Sequence, residues 1–387
     1  MPVMTARSRT EKHRVSTPLE LFFDLCFVVA VSQAGARLVH AVAGGHALAG
    51  IGGYAAVFFA IWWAWVNFSW FASAYDTDDA LYRVVTLVQI TGVLVLAAGV
   101  PRAFDKGDWA VVVAGYVVMR LALTSQWLRA AHCTQGAERR VALRYAAGIT
   151  LVQLGWIAML FLPGNASVGV RAAVFVVLVL AEITVPAVAE RDRPTSWHPH
   201  HIGERYGLFT IIVLGESIAS ATIAVQEALD EHDALGELLP IAAGGLLIVF
   251  SAWWIYFAVP IHDYLRGSRE AFLWGYGHYL ILGSAAAIGA GIEVSVEEAV
   301  GKAHVPTTVA AAAVTLPSAL FLLTVWALHA RHFKRDLAEQ LPLPVAAAAI
   351  LACTFVGGWA VLAAGLVASA AVAAGVLLSR RSVSAAD

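Results

Sequence analysis

Charge is what this chain most conspicuously lacks. Asp, Glu, Lys and Arg together make up 13% of the 387 residues, where a soluble domain usually has about 25%. The deficit runs the whole length and leaves no room for a sizeable soluble domain. Formal net charge is −2, so there is no bulk basic character to recruit nucleic acid. Cysteine is scarce too. Cys26, Cys133 and Cys353 are three, far apart and placed in or beside apolar stretches, which suggests neither a disulfide framework nor a cysteine zinc site. No Gly-rich phosphate loop, nucleophile elbow or HExxH motif is present, and no cofactor is implied.

What the chain has is long hydrophobic runs, with 60% of its residues apolar. A helix needs roughly 20 apolar residues to cross the hydrocarbon core. Reading at that length predicts twelve spans, near 18–41, 49–72, 80–100, 108–129, 142–163, 168–189, 202–226, 238–260, 271–292, 307–330, 342–357 and 359–379. The last two form one run interrupted by Gly357 and Gly358, and one bent helix there would make eleven. The expected fold is therefore an all-α polytopic transmembrane bundle whose natural partner is the lipid bilayer. A homo-oligomer is compatible with it.

Orientation follows the basic loops. Arg7, Arg9, Lys12 and Arg14 precede the first span. Further arginines or lysines flank the fourth (Arg139, Arg140), sixth (Arg191, Arg193), eighth (Arg266, Arg269) and tenth loops (Arg331, Lys334, Arg335), and Arg380 and Arg381 follow the last span. With twelve spans these all fall on one side. The opposite loops hold little more than Arg102, Lys106 and Lys302, and one is acidic (Glu227, Asp230, Glu231, Asp233, Glu237). Both termini are thus expected in the cytoplasm, with the bundle in the plasma membrane. Residues 1–17 read as a leader into a retained helix, because no small-residue cleavage site follows. Residues 380–387 read as a tail.

The halves 18–190 and 191–379 echo each other. Glu20 and Glu204 each open an aromatic-aliphatic helix that reaches a polar pair about twelve residues on, Ser32-Gln33 and Glu216-Ser217. Each next helix carries a tryptophan pair, Trp62-Trp63 and Trp253-Trp254, followed by an Asp (Asp76, Asp263). Two six-helix repeats of this kind would be parallel, related by an axis along the membrane normal. Composition alone also makes aromatic-rich membrane helices look alike.

Acids inside these spans are the candidate functional groups, since a carboxylate at membrane depth costs on the order of 3 kcal/mol unless it faces protein or water. Glu20 and Asp24 stand one helical turn apart on one face, able to take and release a proton or hold a cation. Glu20 reads equally as a capping box with Thr17. Glu204 and Arg205 lie at the edge of the seventh span. Arg205 can neutralise Glu20 or Asp24, or the two can be interfacial anchors. Glu216 lies more than two turns inside its span, where it should face a cavity or pair with a distant arginine such as Arg120. Glu182 stands one turn before Pro186, whose ring frees a backbone carbonyl. His278 lies mid-span between Tyr276 and Tyr279, as a proton relay or a hydrogen-bonded core residue. His198, His200, His201, His262, His329 and His332 gather on one side, but no spacing among them specifies a metal.

Three segments carry a family resemblance. STPLELFFDLCFVVAVSQ (Ser16–Gln33) and HHIGERYGLFTIIVLGESI (His200–Ile218) resemble the two signature segments of the bacterial low temperature requirement protein A family, and WGYGHY (Trp274–Tyr279) resembles its pattern in the ninth helix. The resemblance implies a polytopic bacterial membrane protein and no settled activity. Phe23-Asp24 followed by an aliphatic run is also similar to the first helix of the lysosomal potassium channels with a Phe-Ser-Asp motif. Here Phe23 replaces the Ser, and Gly207-Leu208 stands where the second half should have an Asp.

Two functions fit this pattern. One is a secondary transporter or channel for an ion or small solute, with protons as the natural coupling ion. The other is an integral-membrane enzyme acting on a lipid or hydrophobic metabolite through the same acids.

Overall fold

The computed structural model describes residues 3–8, 11, 14–232, 235–333 and 336–384. Arg9, Lys12, Asp233, Lys334 and Arg335, counted above for orientation, lie outside them, as do the side chains of Glu231, Arg380 and Arg381. Among the described residues the protein is helical without strands. The helices are α1 (Pro18–Ala43), α2 (Ala47–Tyr75), α3 (Ala80–Lys106), α4 (Ala110–Cys133), α5 (Gly136–Met159), α6 (Val168–Ala189), α7 (Pro199–His232), α8 (Leu235–Tyr256), α9 (Ser268–Ala299), α10 (Thr307–Val325), α11 (Pro342–Cys353) and α12 (Ala360–Ser384). Among the described residues, eleven helices are long and apolar enough to cross a membrane, and a shorter apolar helical stretch covers Leu337–Cys353.

Most boundaries follow from local chemistry. Thr17 and Glu20 form the expected capping box: the Thr17 N–H donates to Glu20 Oε2 at 2.7 Å, and the Glu20 N–H to Thr17 Oγ1 at 3.3 Å. Asp79 caps α3 by accepting the Tyr82 N–H at 2.9 Å. Gly107 ends α3 in the left-handed region, at φ 63, which costs glycine nothing. The run 342–379 is two helices, separated by a turn in which Gly357 has φ 66. α7 and α9 extend well past the predicted 202–226 and 271–292, because their polar ends continue the helix beyond the apolar part.

The chain forms two compact units, Met1–Ala30 with Ala60–Arg205, and Val31–Phe59 with Tyr206–Asp387. In the first, α3 packs on α4, α4 on α5, and α5 on α6. Gly92 and Gly115 let α3 and α4 approach so closely that a Cβ on Gly115 would lie 2.5 Å from Leu96 N. Trp127 and Tyr145 stack between α4 and α5 with ring centroids 4.2 Å apart. In the loop before α3, Arg129 pairs with Asp79, and this contact holds the Asp79 carboxyl down at about 2.

In the second unit α9 packs on α10, α8 on α12, and α10 on α11. The α8–α12 contact is backbone against backbone. A Cβ on Gly244 would meet the Val361 carbonyl at 2.4 Å, and one on Gly365 would meet Gly244 O at 2.6 Å. α10 ends in a π-helical turn, Trp326–Ala330.

Two outcomes test this packing. Gly244→Val should lower the thermal unfolding midpoint of the detergent-purified protein by several degrees. Gly215→Ala, where an added methyl meets nothing within 4 Å, should leave the midpoint unchanged or raise it, the gain in stability being at most ~1 kcal/mol. Because the folded Asp79 carboxyl titrates below its ordinary value of about 4, its contribution is complete above that pH and is lost as pH falls toward 2. Asp79→Asn should therefore flatten the fall in stability between pH 5 and pH 3, measured by thermal unfolding at each pH.

Candidate functional site

The first turns of α1 and α7 carry complementary side chains at the same spacing. Glu20 and Asp24 are four apart on α1, and His201 and Arg205 are four apart on α7, so each pair lines one helical face. The structure matches them one to one inside the first unit. Glu20 Oε1 lies 3.1 Å from His201 Nε2, and Arg205 Nη2 donates to Asp24 Oδ1 at 2.6 Å. All four side chains are fully buried. The carboxylates are therefore not paired with each other, and of the two acids open to Arg205 the structure selects Asp24.

α2 completes this site. Trp65 Nε1–H donates to the same Asp24 oxygen at 2.6 Å, and Arg205 Nη2 also reaches Ser69 Oγ at 3.3 Å. Trp65 and Ser69 are again four apart. The match is incomplete. Asp24 Oδ2, Arg205 Nε and Nη1, and His201 Nδ1 have no hydrogen-bond partner among the described residues. Glu204 stands apart, accepting the Ser16 N–H at 3.3 Å. Outside the spans, Arg14 lies 3.4 Å from Asp76 in a buried pair, and His198 Nε2 meets the Glu11 carbonyl at 3.0 Å.

A second charged pair lies in the middle of the first unit. Arg120 donates to Glu182 Oε2 at 3.0 Å. Trp63 Nε1–H donates to that oxygen at 2.9 Å, and Trp156 Nε1–H to Oε1 at 3.2 Å. This corrects the expected pairing of Arg120 with Glu216: Arg120 is committed to α6, while Glu216, half-buried on α7, accepts the Ser220 hydroxyl at 3.3 Å. Both partners of the observed pair sit in different helices more than sixty residues apart, which no local spacing reveals. Trp62, Trp63 and Trp65 are buried, while Trp253 and Trp254 are 46% and 50% exposed, so the two tryptophan pairs have different environments.

In the second unit the mid-span histidine is part of a satisfied aromatic cluster. His278 Nδ1 donates to the Trp274 carbonyl at 2.8 Å, and its Nε2 lies 2.9 Å from the Tyr256 hydroxyl. His329, which the π-turn carries inward, accepts Trp274 Nε1–H at 3.0 Å through Nε2. That nitrogen must then be unprotonated, so His329 is neutral. Of the two readings open for His278, this geometry is that of a hydrogen-bonded core residue.

The same unit contains a cavity of about 620 Å³ lined by apolar side chains including Leu38, Ile51, Phe58 and Leu316. Its two tyrosine hydroxyls are both committed to backbone, Tyr54 to Gly283 O and Tyr279 to Ala55 O, each at 2.8 Å. No acid or histidine lines it.

Among the described residues, eleven helices long and apolar enough to cross a membrane define a multi-pass α-helical membrane protein. The chain belongs to the bacterial low temperature requirement A (LtrA) family, whose model matches residues 15–378. It is similar to an uncharacterized protein of Rhizobium meliloti (strain 1021), 28% identical over 294 residues that cover 72% of this chain and 68% of that one.

Removing one member of a buried ion pair costs about 3–5 kcal/mol because the other is left charged and alone. Arg205→Gln should therefore destabilise the protein strongly, and Arg205→Gln with Asp24→Asn should recover most of the loss. Thermal unfolding of the three variants checks this. Additive effects would mean that the two residues are not coupled.

Proposed function

We propose that the protein is a secondary transporter or channel for an ion or small solute, coupled to protons through the Glu20–His201 and Asp24–Arg205 pairs. The observation that carries this reading is a count of charge. The buried cluster holds two carboxylates against one permanent cation, and its fourth member, His201, is charged only when protonated. A cluster at this depth is least costly when its charges cancel, so one added proton brings it to neutrality. Loss of that proton leaves one negative charge uncompensated, a difference large enough to drive a rearrangement of the first turns of α1 and α7.

Twelve crossings, with α11 as a shortened span, put both termini on the cytoplasmic side of the plasma membrane. The starts of α8 and α10, the end of α9 and the α11–α12 turn all line one pocket of about 300 Å³, which supports the chain reaching the level of the end of α9 after the short α11. The echo between residues 18–190 and 191–379 is read as two parallel repeats, with the first specialised for charge. The enzyme alternative draws on the apolar cavity, which suits a hydrophobic molecule. It lacks support there, because no acid or histidine faces that space to perform acid–base chemistry.

Proteoliposomes carrying a pH-sensitive dye test the proposal with imposed gradients of potassium, sodium and chloride. At least one gradient should drive proton movement in the wild-type protein. Glu20→Gln and Asp24→Asn should reduce it at least tenfold, and His201→Gln should alter its pH profile. Ion flux that survives both carboxyl substitutions would reject proton coupling.

A further inference from the structure

Helix register in the first unit brings a ring of polar side chains to one level. Gly92 on α3 lies against Gly115 and Met119 of α4, and Gly99 against Val112. This antiparallel register sets Gln89 level with Arg120. Trp127 stacked on Tyr145 sets Arg120 level with Gln153 of α5. Gly148 against Val185 and Gly155 against Leu178 set Gln153 within half a turn of Glu182 on α6. Four consecutive helices thus each contribute one polar residue to a single layer, more than one helical turn from every helix end.

The layer is buried and under-satisfied. Exposure is 3% for Gln89, 2% for Arg120, 5% for Gln153 and 1% for Glu182. Glu182 is fully engaged by Arg120, Trp63 and Trp156. In contrast, Gln89 Nε2, Arg120 Nε and Nη1, and both Gln153 amide atoms have no partner among the described residues. Each such atom costs about 1–3 kcal/mol if nothing meets it. Five of them in one layer are far more than the few expected per hundred residues in a well-satisfied fold. Four are donors and one is an acceptor, and the ion pair has already cancelled the charge.

We propose that this layer binds a small, uncharged, oxygen-bearing molecule that accepts more hydrogen bonds than it donates. Water and a small polar solute in transit share that chemistry. The proposal rests on the transport reading only for the second of these occupants. A water here needs 2–4 polar partners, which the glutamines and Arg120 supply. Gln89 and Gln153 are then the residues that fix the occupant, and the Arg120–Glu182 pair is the neutral wall it rests on.

Radiolytic hydroxyl-radical labelling of the full-length protein in nanodiscs tests for water at this depth. Tyr116 and Trp156 flank the layer and should be labelled at least tenfold faster than Trp274, which is buried in the second unit, a ratio beyond the small difference in exposure between 5–7% and 1%. Gln89→Leu and Gln153→Leu keep the ion pair and should cut that labelling severalfold. Labelling of Tyr116 and Trp156 no faster than Trp274, with leucine variants more heat-stable than wild type, would overturn the site. Glycerol and urea efflux from proteoliposomes separates the occupants. Efflux that falls in the leucine variants identifies solute in the layer. Labelling without any efflux or proton-coupled flux keeps the site as a water site and removes the transport reading instead.

Discussion

The cost of charge in hydrocarbon governs this structure. An isolated carboxylate or guanidinium at membrane depth is worse by several kcal/mol than the apolar side chain it replaces, so the fully buried ones of the first unit are partnered on another helix. The first unit meets this with repeated four-residue spacing. Glu20 and Asp24 on α1 face His201 and Arg205 on α7, while on α2 Trp65 donates to Asp24 and Ser69 accepts from Arg205. Packing between these helices and pairing between these charges are one requirement, because a shift of either helix by a turn would leave one member of each helix without its partner.

The second unit resolves its interior differently. Its histidines are tied to tyrosine, tryptophan and backbone, and its helices close through glycine-mediated backbone contact at Gly244, Gly291 and Gly365. Small residues allow such approach where no hydrophobic force draws helices together. The contrast lies in what meets inside each unit, paired charges in the first and hydrogen-bonded aromatic side chains with close backbone contacts in the second.

The helices were legible because length and hydropathy set them, and the need of Glu20, Asp24 and Glu182 for buried partners was legible because depth alone makes them costly. Partnership was legible only where motif and repeat pointed to it, as for Arg205. Arg120 and Glu182 could not be joined from sequence, since depth along a helix says nothing about which neighbour its face meets. Gln89 and Gln153 passed unnoticed because a neutral amide in an apolar run looks harmless until its unpaired atoms are seen. The π-turn at Trp326–Ala330 has no compositional signal, and the break before α12 was visible only as a glycine pair.

The neutrality of the Asp24–Arg205 pair also bears on how the protein responds to an electric field. Moving one elementary charge through the full membrane potential involves about 2.3 kcal/mol per 100 mV. A rearrangement that carries Asp24 and Arg205 together displaces no net charge and is indifferent to voltage. One that parts them, or that moves the Glu20–His201 couple after its proton has left, does electrical work. Voltage dependence would therefore distinguish motion with the pair clasped from motion in which it opens.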